Sequence, residues 1–151
     1  GYYMKDKPIN TPYIILMTLA TMVLLIVGNW SITSITDGTG KMKEIFMVYA
    51  YAEYPRLLLG AIGLVISNFV TVEESAFAIF FYAFGSVVFA FYLFVGLTII
   101  HEYTFTKALF MVVLTIAAMS IIVFILALFI SLSNEVFTFF RTVYQELILK
   151  L

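Results

Sequence analysis

Cysteine is absent from the 151 residues of this chain. Disulfides, thiolate metal sites and thiol nucleophiles are therefore excluded. Charge is scarce as well: Asp, Glu, Lys and Arg together make up 11%, where soluble globular domains carry about 25%. The formal net charge of −1 leaves no electrostatic footprint for nucleic acid. A single histidine and scattered carboxylates offer little material for a metal centre, and no cofactor-binding motif is present. What the chain does have is apolar surface: 64% hydrophobic residues and a mean hydropathy of +1.10. A water-soluble protein of this length cannot hide so much, whereas a membrane protein turns it towards lipid. The fold class that follows is all-α: a polytopic transmembrane helical bundle in one domain, with the lipid bilayer as its first partner.

Four long apolar runs are separated by short polar punctuation, and a helix crossing about 30 Å of hydrocarbon needs about 20 such residues. The first run predicts a span over about 13–35. Thr11 before Pro12 suits a helix start, and Thr36-Asp37-Gly38-Thr39-Gly40 suits a stop, glycine tolerating the left-handed backbone of a helix end. The second predicts a span over 45–70 kinked at Pro55. An interfacial segment would precede the kink and a short span would follow it; one continuous kinked helix is the alternative. The third predicts a span over about 75–100, with Thr71 and Glu74 spaced as a capping box. The fourth predicts a span over 106–132, ended by Ser131-Leu132-Ser133-Asn134. Beyond it Val136, Phe139, Phe140, Val143, Leu147 and Leu151 share one helical face. An amphipathic interfacial helix over 134–151 is expected, or a tail helix packed on a partner.

Lys and Arg split evenly between the two sides of such a bundle, so charge alone does not orient it. Glu73-Glu74, in a loop without Lys or Arg, leans towards an external face. That leaning puts the 36–44 and 101–107 connections inside, in the cytoplasm. The chain opens Gly1-Tyr2-Tyr3-Met4, without an initiator methionine or a signal peptide pattern, and is expected to be part of a longer polypeptide.

Few residues could carry chemistry. Glu53 and Arg56 stand three apart and flank Tyr54-Pro55, which makes them either a polar notch for a partner helix or small ligand, or an interfacial ion pair. His101-Glu102 begins like a metalloprotease helix, but Phe105 stands where the second histidine ligand would be, so a juxtamembrane pair is expected. Asp37-Gly38-Thr39-Gly40 lacks the Gly-Lys-Ser/Thr of a phosphate loop. Asp6 and Asp37 lie in polar connections, which removes an intramembrane aspartyl protease. No catalytic residue is assigned. Gly63 with Ser67, and Ser86 with Ala90, are small residues four apart that permit close helix packing.

Several motifs taken in order form a pattern: Asn29-Trp30, Asp37-Gly38-x-Gly40, Tyr51-Ala52-x-x-Pro55, His101-Glu102-Tyr103-Thr104 and Lys107-Ala108. It resembles the bacterial branch of the Yip-domain family, the Ypt-interacting-protein-like membrane proteins, over nearly the whole chain from Ile14. The resemblance implies a five-helix membrane domain with a cytoplasmic N-terminus. The first helix would then lie upstream of residue 1, and the C-terminal helix outside the cell. It also implies company with carbohydrate importers of the ATP-binding-cassette type. The expected function is a non-catalytic accessory or scaffold subunit, in the cell membrane, that binds other integral membrane proteins such as permease subunits. The alternative is a small oligomeric transporter or channel lined by Glu53 and Arg56.

Overall fold

The computed structural model describes residues 10–71 and 74–149. Within them the chain is α1 (Thr11–Ile35), α2 (Met42–Ile66), α3 (Ala76–Ile100) and α4 (Phe105–Leu149). The first three are 25 residues each and α4 is 45. At 1.5 Å per residue these lengths are ~37 Å and ~67 Å. By length and composition α1, α3 and Phe105–Ile148 of α4 can cross a membrane. Lys43, Glu44, Glu53 and Arg56 interrupt α2, whereas α4 has an uncharged stretch over 108–134.

The helix ends follow from local chemistry. The side chain of Asn10, rather than Thr11, caps α1 by accepting from the Tyr13 N–H at 3.2 Å, and Pro12 sits in the first turn. The left-handed residue that ends α1 is Asp37 (φ 54°), whereas no glycine among the described residues has positive φ. Glu102, also at φ 54°, ends α3 in the same way. In both turns the next N–H reaches five residues back: Gly38 to the Thr33 carbonyl at 2.9 Å, Tyr103 to the Thr98 carbonyl at 3.0 Å. This is the closing bond of a Schellman motif. Before α3, Glu74 accepts from the Thr71 N–H at 3.3 Å, which is half of the expected box; the Thr71 hydroxyl bonds the same carboxylate at 3.4 Å.

The packing divides into two antiparallel pairs. α2 lies along the whole of α3, from Val48 against Gly96 to Gly63 against Ala78. Ile45 and Ala52 are buried in this contact, and Tyr49 meets Phe89 edge to face at 5.5 Å. The glycines are there for proximity: a Cβ on Gly96 would come within 2.5 Å of Val48, and one on Gly63 within 3.1 Å of the Ala78 carbonyl. α1 packs on α4 through Gly28, whose Cβ would fall 2.7 Å from Met119.

Two expected boundaries are corrected. α2 runs unbroken from Met42 to Ile66 through Pro55, and residues 67–70 are turn instead of span. Proline withholds one N–H from the Tyr51 carbonyl, but the continuous α3 wall supports the helix on both sides of it. α4 does not stop at Ser131–Asn134. The Ser133 hydroxyl donates to the Phe129 carbonyl at 2.8 Å and Thr138 to the Asn134 carbonyl at 2.8 Å, so these side chains stay within the helix. No separate amphipathic helix over 134–151 is present among the described residues; Lys150 and Leu151 lie outside them. None of the described α4 side chains beyond Met119 is buried.

Candidate functional site

The buried polar side chains gather at the end of the bundle where the 36–41 and 101–104 connections meet. Asn29, Thr33, His101 and Thr115 are 1–6% exposed. Asn29 and Thr33 are four apart on α1 and share a face; Thr115 faces them from α4; His101 caps α3.

His101 is the hub. The Gly40 N–H donates to its Nδ1 at 3.0 Å. A backbone N–H can only donate, so Nδ1 carries no proton and the neutral ring holds its proton on Nε2. Nε2 then donates to Asn29 Oδ1 at 3.1 Å, and Asn29 Nδ2 donates to Thr115 Oγ1 at 3.2 Å. Both ring nitrogens of His101 and both amide heteroatoms of Asn29 are thus engaged. The Thr39 hydroxyl adds a bond to the Ile100 carbonyl at 3.0 Å, which joins the same two connections. Burial pushes the His101 pKa below its ordinary value, while the nearby Glu44 carboxylate opposes the shift.

Tyr103 closes the cluster. Its ring stacks on His101 with centroids 5.1 Å apart and planes 18° apart, and the Lys107 ammonium lies 4.6 Å from its centroid. Its hydroxyl is buried without a hydrogen-bond partner among the described residues. Gly38 and Gly40 make room for these rings. A Cβ on Gly38 would stand 2.6 Å from the Tyr103 hydroxyl, and one on Gly40 2.6 Å from His101 Cε1. The cavity left between Asn29, His101 and Tyr103 has a volume of only ≈ 10 Å³, room for about one water molecule. No substrate fits.

The residues singled out from sequence fare differently. His101 is the buried hub, but Glu102 is exposed and serves the turn. Glu53 and Arg56 do pair, Oε1 to a guanidinium nitrogen at 2.9 Å, with Arg56 also 5.3 Å from the Phe89 centroid. They face a cleft of ≈ 520 Å³ between α1, α2 and α3. Tyr54 is 69% exposed and takes no part in it. Gly63 is a true packing residue, whereas Ser67 lies past the end of α2 and Ser86 and Ala90 are exposed. Gly85, with Arg56 and Leu59 against it, and Gly96 form the close contact of α3 instead. Among the described residues no three His, Cys, Asp or Glu side chains gather as a metal site would require. Asn29, Thr33 and Thr115 carry no motif; their signal is polarity at helical spacing inside otherwise apolar runs.

Fold and site together define an α-helical membrane protein in which His101, Asn29 and Thr115 are hydrogen-bonded in series. No protein-family model, curated protein or solved structure matches the chain.

Proposed function

We propose that this chain is a non-catalytic accessory or scaffold subunit, which crosses the membrane four times and works by contact with other integral membrane proteins. The observation that carries this reading is the closed relay Gly40–His101–Asn29–Thr115. The one histidine and the one carboxamide buried in the bundle bind each other, around a cavity of ≈ 10 Å³. Intramembrane polar groups ordinarily mark substrate or ion pathways. Here they hold α1, α4 and the two connections together, and the exposed helix flanks are left for association. α2 is read as the fourth span because it lies along the full length of α3. The sequence resemblance extends the reading to a carbohydrate import assembly in the cell membrane, with the 36–44 and 101–107 connections in the cytoplasm.

The test is isolation of the tagged chain from its native membranes in mild detergent, with the intact particle weighed. A particle of defined mass holding a second integral membrane protein supports the proposal. The chain alone, under conditions that preserve other membrane complexes, contradicts it.

A second reading, a small oligomeric transporter or channel, is favoured by the Glu53–Arg56 pair on its ≈ 520 Å³ cleft. It requires solute flux in vesicles that falls when Glu53→Ala or Arg56→Ala is introduced.

A further inference from the structure

The cleft at Glu53 and Arg56 has a floor, a depth and a polarity that specify an occupant. Its walls are Thr18 on α1, Glu53 to Leu64 on α2, and Tyr82 and Ser86 on α3. Residues 11–21 of α1 are all exposed, so the cleft opens sideways into the bilayer beside them. Arg56 lies ten residues from the end of α2 at Ile66, which is ~15 Å along the axis. With α2 read as the fourth span, that is deep within the hydrocarbon. The arginine side chain is 47% exposed and that of Glu53 18%. Lipid tails offer such a pair no hydrogen bonds. An arginine at the centre of a spanning helix is costly to insert and ordinarily marks a contact.

We infer that the cleft receives one turn of a transmembrane helix from another protein, carrying an Asn or Gln side chain at mid-depth. The inference rests on the accessory-subunit reading and names where the partner docks. Size allows it: the cleft of ≈ 520 Å³ is open along its side and admits one face of a helix whose turn is about 5.4 Å long. Gly60, Ala61 and Ser86 keep the walls low enough for a backbone to approach.

Polarity fits next. The guanidinium has five N–H donors, of which the Glu53 contact takes one. The hydroxyls of Thr18 and Ser86 donate to their own helix carbonyls, of Ile14 at 2.9 Å and Tyr82 at 3.0 Å. Both therefore present lone pairs only. A carboxamide answers both demands, its oxygen accepting from Arg56 and its NH₂ donating to Ser86, Thr18 or Glu53. An ionised lipid phosphate has no donor for those lone pairs and meets the Glu53 carboxylate, and it belongs at the membrane surface instead of at this depth. A second copy of this chain offers no carboxamide at that depth. Its Asn29 is engaged with His101 and Thr115, Asn10 and Asn68 lie at helix ends, and Asn134 and Gln145 stand ~44 Å and ~60 Å along α4 from Phe105, past a hydrocarbon layer of ~30 Å.

The absence of cysteine makes the experiment clean. Phe69→Cys, at a position 84% exposed beside the cleft end of α2, carries a donor fluorophore on the chain reconstituted in phosphatidylcholine vesicles. Two acceptor-labelled Leu/Ala-rich 23-residue peptides are titrated, identical except for a central Asn or Leu. The Asn peptide is expected to bind about tenfold more tightly. That preference should vanish in the Glu53→Leu/Arg56→Leu variant and in Gly60→Leu, which fills the cleft and leaves the ion pair in place. Equal binding of the two peptides overturns the inference, as does a preference that survives both variants. Displacement of the Asn peptide by phosphatidylglycerol would assign the cleft to lipid, and energy transfer between copies that Gly60→Leu abolishes would assign it to self-association; either overturns it. A hetero-complex isolated from membranes alongside peptides that bind equally rejects this docking site alone. A solitary particle alongside a clear Asn preference rejects the accessory reading alone.

Discussion

Asn29 and Thr115 are 86 positions apart in the chain and 3.2 Å apart in the fold. This bond ties α1 to α4 within an apolar core where water is not available as a substitute partner. Interhelical hydrogen bonds in membranes average about 0.6 kcal/mol and reach about 1.7. Thr115→Val should therefore lower stability by about 0.5–2 kcal/mol, and Thr115→Ser should restore most of it. Thermal unfolding in detergent, run as a double-mutant cycle with Asn29→Leu, checks the pair; independent, additive losses would deny the bond.

Gly38 and Gly40 matter through closeness, since neither has positive φ. Gly40→Ala places a methyl group 2.6 Å from His101 Cε1, whereas Gly60→Ala meets Tyr82 only at 3.7 Å. Overpacking of this kind costs about 1–3 kcal/mol. Gly40→Ala is expected to lower the unfolding midpoint, and Gly60→Ala to leave it unchanged or raise it through helix propensity.

Acid should loosen the cluster through His101. Its folded pKa is depressed by burial, so in the window below the ordinary histidine value the unfolded chain binds the extra proton and the folded chain does not. The stabilisation is complete above a pH of about 6.5 and is lost as pH falls through the folded value. Protonation puts an N–H on Nδ1, facing the Gly40 N–H. The unfolding midpoint should drop between pH 6.5 and 5 in the wild type and stay flat in His101→Gln. His101 is the only histidine in the chain, so a slope retained in that variant would move the effect elsewhere.

The unbroken α4 predicts a long distance. Spin labels at Ile116 and Leu147 are 31 residues apart in one helix, or ~46 Å along its axis. Double electron–electron resonance in nanodiscs should give a narrow distribution near that value. A right-angle break at Ser131–Asn134, with legs of ~24 Å and ~22 Å, would give ~33 Å instead.

The four apolar runs were legible because span length is set by the bilayer and written directly in composition. The end of the last run misled, since Ser131-Leu132-Ser133-Asn134 reads as punctuation. It contains neither Gly nor Pro, and hydroxyls inside a helix can bond the carbonyl four residues back, as Ser133 does. Asp37-Gly38-x-Gly40 and His101-Glu102-Tyr103 stood out as motifs, yet their meeting was not readable. Gly40 and His101 are 61 residues apart, and only the packing of α2 along α3 brings them into contact. The roles of the turn residues were exchanged for a related reason. Glycine was expected to supply the left-handed backbone, but Asp37 does, and the glycines give space to rings from another loop. The Glu53–Arg56 pair was readable from its spacing alone, because it lies within one helix.

A neutral His101, hydrogen-bonded through both ring nitrogens, fastens the bundle. The most direct measurement is the ¹⁵N spectrum of histidine-labelled protein in nanodiscs, where this one residue supplies both ring signals. The prediction at pH 7 is a single neutral form, with Nε2 protonated and Nδ1 accepting a hydrogen bond, coupled to a downfield Gly40 amide. An imidazolium, or fast averaging of two tautomers, would contradict it.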